Sequence, residues 1–180
     1  MYRYFFIIVS IFIYFTSMQA SQIVESTDIG GKVGIVRAEL MEIEKNEYVT
    51  YAEIRLFHDQ ATIPFQRIAV DVEIERPYFE FVDLNGDTYK DLVFYRTCGA
   101  GYQCVGPFPF AGDVYIFNPD RERFEALSAL SERGEVQSAK RKGCATVYYK
   151  SGLSGYTTET WCIDKRSCSG WKLKSLDGGE

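Results

Sequence analysis

The chain has 180 residues, of which 46% are hydrophobic and 25% charged, and its formal net charge is −5 at pH 7. A chain of this length buries a sizeable core without needing a metal or a disulfide to hold it together. The acidic balance and the lack of a basic stretch in the sequence disfavour nucleic-acid binding and favour a strongly cationic partner.

Residues 1–20 have the pattern of a secretory signal. Arg3 is their only charge, the run from Tyr4 to Phe15 is almost wholly apolar, and Ala20 closes the segment. The apolar run is too short for a transmembrane helix, which needs about 20 residues. A methionine just before the cleavage point is unfavourable, so an uncleaved anchor is the alternative. We expect a signal peptide, a single domain over residues 21–180 in the periplasm or outside the cell, and no stable membrane insertion.

Short segments that alternate apolar with polar residues follow the signal to the end of the chain. A period of two residues is typical of half-buried strands, whereas a helix repeats about every 3.6 residues. We predict strands over 33–43, 48–57, 63–74, 78–82, 91–95, 113–117, 136–140, 145–149, 157–163 and 171–176.

This number of short strands, separated by Gly, Pro, Asn and Asp, predicts an all-β domain. We expect a small antiparallel meander, propeller-like or barrel-like, with a two-sheet sandwich as the alternative. The fold is expected to contain at most one short helix, over the segment EALSALSE from Glu125 to Glu132.

The segment FVDLNGDTYKDLVF, residues 81–94, places oxygen ligands between two apolar runs. Calcium takes about six to eight oxygen ligands, and alternate positions of a tightly curled loop direct ligands to one point. We predict that residues 83–91, hereafter the acid loop, bind calcium. The alternative is an Asn-Gly turn whose acidic residues face water. The predicted ligands are Asp83, Asn85, Asp87, the carbonyl of Tyr89, and Asp91.

One residue departs from the usual pattern of such loops. Thr88 stands at the sixth position, where a glycine usually permits the sharp turn. We expect its Cβ to strain the turn; whether this weakens calcium binding is left open by the sequence.

All five cysteines lie after the signal, and export makes disulfides permissible. Cys98 with Cys104, and Cys162 with Cys168, share the C-x5-C spacing and bracket turn-like segments, so pairing within each is the first choice. The rival is Cys144 with Cys162, because a hairpin centred midway between them would set the two opposite each other. An odd number of cysteines leaves one thiol free in a monomer.

The sequence lacks the common catalytic motifs, including G-x-S-x-G, the Walker loop and H-E-x-x-H. The sole histidine, His58, lies in a predicted turn, where we expect it to be solvated; without further histidines or a C-x-x-C motif, zinc is also disfavoured. Paired carboxylates could serve a glycosidase, but the densest acidic residues are already predicted to bind a cation. We predict that the protein is not an enzyme.

Two further segments are candidate binding surfaces. In CGAGYQCVGPFPFAG, the aromatic residues Tyr102, Phe108 and Phe110 either pack on the core or form an exposed surface. The segment TVYYKSGLSGYTTETW predicts a hairpin whose tip is either an ordinary solvated turn or a contact loop. Slim residues with hydroxyl and ammonium donors can enter a narrow acidic cleft, and flanking tyrosines supply rigid contact area. The candidate loop residues are Tyr148, Tyr149, Lys150, Ser151, Gly152, Ser154 and Tyr156.

From about Tyr78 to Leu176 the sequence resembles a family of exported bacterial immunity proteins. The resemblance is carried by the acid loop, a Gly-rich segment, the stretch DVYIFNPDRERFEALSALS, and a Y-x-x-x-G motif that falls on Tyr148 and Gly152. Members of this family guard the periplasm against peptidoglycan-hydrolysing toxins that bacterium-killing type IV secretion systems deliver. The family is related to periplasmic lysozyme inhibitors in its fold and in its use of a loop to plug the active-site cleft of the hydrolase.

The resemblance implies calcium in the acid loop and a hairpin that plugs the cleft of a lysozyme-like peptidoglycan hydrolase. Two features depart from the family pattern. The stretch from Cys162 to Cys168 looks like an insertion relative to the family, and the lipoprotein cysteine that many relatives carry after the signal is missing from this sequence. A second hypothesis is a calcium-stabilised carbohydrate- or protein-binding module of the cell envelope that uses Tyr102, Phe108 and Phe110. A third is an envelope scaffold in which calcium only holds the fold.

Overall fold

The structure is a computed structural model that describes residues 23–47, 49–72, 77–98, 110–131, 133–151, 155–164 and 171–179. Within these ranges, twelve strands form three four-stranded antiparallel sheets, and the strands of each sheet follow one another along the chain. The prediction of an all-β meander is confirmed. The described residues form three sheets instead of the two of a sandwich, and none of these sheets closes into a barrel. The predicted signal peptide lies outside the described residues.

The first sheet shows the predicted alternation of buried and exposed residues. Ile54 and Leu56 of its third strand are fully buried, while the intervening Arg55 pairs with Glu53 on the other face, Nε to Oε1, at 2.7 Å. The predicted set of strands lacked the first strand of this sheet, which is short and pairs only with its neighbour. The strands are β1 (Ile23–Asp28), β2 (Ile35–Lys45), β3 (Thr50–His58) and β4 (Gln66–Val72).

The second sheet is packed on both faces. In its second strand, Leu92 and Phe94 belong to a core shared with the first sheet. Val93 and Tyr95 belong to a core shared with the third sheet. A strand buried on both faces needs apolar residues at every position, which explains why this segment does not alternate. The strands are β5 (Tyr78–Val82), β6 (Asp91–Cys98), β7 (Phe110–Asn118) and β8 (Arg123–Ala126).

The candidate helix over Glu125 to Glu132 does not form in the described residues of this segment, which agrees with the expectation of at most one short helix. Its first residues belong to β8, which pairs with β7, and the Leu127 N–H continues this contact by donating to the Val114 carbonyl at 2.7 Å. A single turn follows, in which the amides of Leu130 and Ser131 donate to the Leu127 carbonyl at 3.1 and 3.2 Å. A segment this short is marginal as a helix on its own, so pairing with the sheet decides its conformation.

The third sheet contains the predicted hairpin and a bulge. Thr160 pairs with Ser175 while Trp161 pairs with Leu173, so β12 carries one extra residue at this point. The extra residue keeps Leu173 and Leu176, three positions apart, on the same face of the sheet. The strands are β9 (Glu135–Ser138), β10 (Cys144–Ser151), β11 (Gly155–Ile163) and β12 (Trp171–Gly179).

A disulfide joins Cys144 to Cys162, which lie directly opposite each other on β10 and β11. The predicted pairing of Cys162 with Cys168 is therefore wrong, and the rival pairing forms. The hairpin register brings the two partners together across 18 positions of sequence, and this overrides the short C-x5-C spacing. The other predicted pairing, Cys98 with Cys104, lies outside the residues whose side chains the structure describes.

Candidate functional site: the acid loop and the β10–β11 hairpin

The acid loop joins β5 to β6 and ends at a buried carboxylate. Asp91 is fully buried; its Oδ2 accepts the Leu84 N–H and its Oδ1 accepts the Phe117 N–H, both at 2.9 Å. Phe117 belongs to β7, so this carboxylate fastens the loop to a neighbouring strand. Burial raises the pKa of Asp91 to about 7, against the effect of its two backbone hydrogen bonds. The charges of Asp87 and Asp83 raise the pKa further.

The other polar side chains hold the curl of the loop. Asp83 accepts the N–H groups of Gly86 at 2.7 Å and of Thr88 at 3.0 Å. Asn85 and Asp87 each accept the N–H two residues further on, at 2.9 and 2.8 Å. Such Asx turns let a loop satisfy its own backbone donors. The side chains of Asp83, Asn85 and Asp87 are therefore each engaged with the backbone of the loop itself.

The donor set of the acid loop suits calcium, a hard cation that prefers carboxylate and amide oxygens. The carboxylate of Asp91 lies near enough to those of Asp83 and Asp87 for their charges to act on its pKa. Each carboxylate oxygen that accepts one N–H keeps a further lone pair for a cation. In the described ranges, however, no three acidic, histidine or cysteine side chains are grouped so as to hold a metal. The calcium site stays a prediction that rests on the chemistry of the donors.

The acid loop also contacts both neighbouring sheets. The Lys90 N–H donates to the Ile29 carbonyl at 2.8 Å, and the Lys90 Nζ donates to the Thr27 Oγ1 at 2.9 Å. On the other side, a Cβ added at Gly86 would come within 2.6 Å of the Lys142 Cγ. The loop is therefore a junction between all three sheets.

Thr88 has the strained backbone that its place in the loop predicts. Its φ is +78°, a left-handed conformation that a β-branched residue adopts only at a cost. Since the Thr88 side chain is exposed, Thr88→Gly should raise the free energy of unfolding by about 1 kcal/mol. Urea denaturation measures this change. The matched control is Thr50→Gly in β3, which should be destabilising; a destabilised Thr88→Gly protein would contradict the strain.

The protonation of Asp91 should make stability depend on pH in calcium-free buffer. Its pKa in the folded protein, about 7, lies above the 3.8 of an aspartate in water. A raised pKa in the folded state contributes stability that is fully present below the unfolded value and is lost as the pH rises through the folded value. We therefore expect the free energy of unfolding to fall as the pH rises from about 4 to 7. In Asp91→Asn this fall should be reduced; an identical pH profile in the variant would contradict the assignment.

The predicted hairpin is confirmed in its backbone pairing. Tyr149 pairs with Thr157, Lys150 with Tyr156, and the last described pair before the tip is Ser151 with Gly155. Tyr148 and Tyr149 are half-buried, and the side chain of Tyr156 is exposed. Gly152 and Ser154, and the side chains of Lys150 and Ser151, lie outside what the structure describes.

A buried glutamate in the stem of the hairpin was missing from the predicted site. Glu159 accepts hydrogen bonds from the Tyr149 hydroxyl at 3.2 Å and from the Trp161 Nε1 at 2.7 Å. The Arg133 guanidinium pairs with the same carboxylate at 3.4 Å and stacks on the Trp161 ring. An acidic residue at an inward position of a strand is the sequence signal that could have revealed this cluster. The cluster braces the hairpin against the turn that follows β8.

His58 differs from the predicted solvated turn residue. It is the last residue of β3, and its ring stacks on Phe65 with 4.2 Å between the ring centroids.

In the described ranges, no helix is long and apolar enough to cross a membrane.

Comparison with known proteins finds a solved structure with a similar fold. No family model and no curated protein matches the sequence. A solved structure, described as that of a Xanthomonas type IV secretion system related protein, superimposes with a TM-score of 0.52 and 13% sequence identity. The likeness covers 86% of this chain and 81% of that chain. At this identity the likeness shows a shared fold.

Proposed function

We propose that this protein is an exported inhibitor of a lysozyme-like peptidoglycan hydrolase, an immunity protein that inserts its β10–β11 hairpin into the hydrolase cleft. The observation that carries the proposal is the paired hairpin itself, whose strands pair as far as Ser151 and Gly155. In the sequence, the Y-x-x-x-G motif runs from Tyr148 on the first strand to Gly152, which follows Ser151. The fold shared with a type IV secretion system related protein adds support. The place of action would be the periplasm or the cell exterior.

A stiff hairpin stem favours this role because a loop that is ordered before binding loses less entropy on binding. The Cys144–Cys162 disulfide closes the stem at one end, and the Glu159 cluster holds it near Tyr149. Between these points the two strands pair without a register shift. The contact residues are thereby presented on a fixed scaffold.

The chemistry of the tip suits a cleft that cuts glycosidic bonds between two carboxyl groups. The ammonium of Lys150 and the hydroxyls of Ser151 and Ser154 could hydrogen-bond those carboxyl groups. The glycines at positions 152 and 155 add no side chain that would hinder entry into a narrow cleft. The net charge of −5 would steer the inhibitor toward a basic hydrolase. Calcium held by the acid loop would supply positive charge among its carboxylates.

A lytic assay tests the proposal. The chain from Ser21 onward is mixed with a panel of peptidoglycan hydrolases, including the product of the gene next to its own. We expect inhibition of at least one hydrolase at near-stoichiometric ratios. Failure to inhibit any of them, by protein shown to be folded, would overturn the proposal and favour a binding module of the cell envelope.

A further inference from the structure

A groove between the first and second sheets forms a separate site, lined by none of the acid-loop or hairpin residues. Its walls are β4 and β8, the edge strands of their sheets, and its volume is about 460 Å³. The Gln66 side chain joins the walls: its Nε2 donates to the Phe124 carbonyl at 2.7 Å, and its Oε1 accepts the Phe124 N–H at 2.8 Å. Two bonds to one residue fix the spacing of the walls, so the groove exists before any ligand binds.

The groove is positively charged although the whole chain is acidic. Three arginines line it, and Glu125 is the one acidic residue among the lining residues of the described chain. Arg121 pairs with Glu125 at 3.0 Å, and Arg67 pairs with Glu53 at 3.4 Å. Both arginine side chains remain more than half exposed, and ion pairs this exposed hold their partners weakly. Arg123 is exposed and makes no ion pair with the described residues.

The floor of the groove is aromatic. Tyr115 and Phe124 line it and are held in place by the core; Tyr115 keeps 8% of its surface exposed and Phe124 1%, so Tyr115 is the aromatic residue that a ligand can contact. A second cavity, of about 350 Å³, shares Tyr115 and Ala126 with the groove and is also lined by Asp113. A volume in this range accommodates a small molecule.

We propose that this groove binds a small ligand that carries a carboxylate or phosphate group next to a ring or apolar portion. The planar guanidinium fork matches the oxygen geometry of both anions and can engage two oxygens at once. The anionic group would lie between Arg121, Arg123 and Arg67, and the ring would rest on Tyr115. This site is independent of the hairpin and of its hydrolase target.

The probes that test the site are benzoate and phenyl phosphate, which share a ring and differ in their anion. Each is titrated into the chain from Ser21 onward and followed by calorimetry or by NMR shifts, with benzyl alcohol as the neutral probe. We expect saturable binding of at least one anion and about tenfold weaker binding in Arg121→Gln with Arg123→Gln. The anion that binds more tightly indicates whether the natural ligand carries a carboxylate or a phosphate group.

The matched control is Arg141→Gln with Lys172→Gln, which removes the same charge from exposed sites outside the groove. This control should bind the probes as the unmodified chain does, and circular dichroism should show that all the variants are folded. The proposal is overturned if neither anion binds saturably, if benzyl alcohol binds equally well, or if the control loses as much affinity as the groove variant. Hydrolase inhibition should be unchanged in the groove variant, which separates this test from that of the hairpin.

Discussion

Lys150→Glu combined with Gly152→Asp should abolish hydrolase inhibition while leaving the fold intact. The two substitutions place negative charge at the tip of the β10–β11 hairpin, where the proposed target carries carboxyl groups. Opposing like charges across an interface costs several kcal/mol, so the concentration needed for half-inhibition should rise by about 100-fold or more. The lytic assay measures this rise, and thermal unfolding with circular dichroism checks the fold.

The first sheet offers a matched control for the change in charge. Lys45→Glu with Asn46→Asp alters the net charge by the same amount, at the last residue of β2 and the first residue of the turn that follows. Asn46 Oδ1 accepts the Val49 N–H at 2.8 Å, and an aspartate at this position can accept the same bond. Inhibition should survive these substitutions. An equal loss of inhibition in both variants would mean that overall charge, and not the hairpin tip, governs inhibition. Unchanged inhibition by the tip variant would contradict the plug mechanism.

Local sequence patterns predict the features that local physics controls. The alternation of β3 and the turn-forming acids of residues 83–91 come from period and turn chemistry alone. The hairpin follows from two β-rich runs around a glycine-containing turn, and its register fixes the Cys144–Cys162 bridge. The positive φ of Thr88 follows from its place in the loop.

The features that sequence patterns miss depend on contacts between distant segments. Gln66 and Phe124 are 58 positions apart, and nothing in either strand indicates that these two edges meet. The backbone N–H that Asp91 binds in β7 lies 26 positions away, so the burial of this acid could not be foreseen. The segment from Glu125 to Glu132 has a composition suited to a helix, but pairing with β7 outweighs a weak propensity.

Asp91→Ala should destabilise the fold whether or not calcium is bound, and this separates its structural role from any metal ligation. The substitution leaves the N–H groups of Leu84 and Phe117 without their buried acceptor. Each unsatisfied buried donor costs about 1–3 kcal/mol, so the free energy of unfolding should fall by about 3 kcal/mol in a chelator. Urea denaturation in calcium and in chelator measures the two contributions. A loss confined to the calcium-containing buffer would contradict the structural role.

Asp87→Ala is the matched comparison within the same loop and tests the calcium site. Its carboxylate is exposed and accepts the Tyr89 N–H, at 2.8 Å, at the surface, where water can replace it. In a chelator this variant should therefore lose little stability. In calcium it should lose the part of the stability that the bound ion supplies, because a ligand that binds only the folded state stabilises it. An equal loss in both buffers would count against calcium in the acid loop, and the loop would then stabilise the fold solely as the junction of the three sheets.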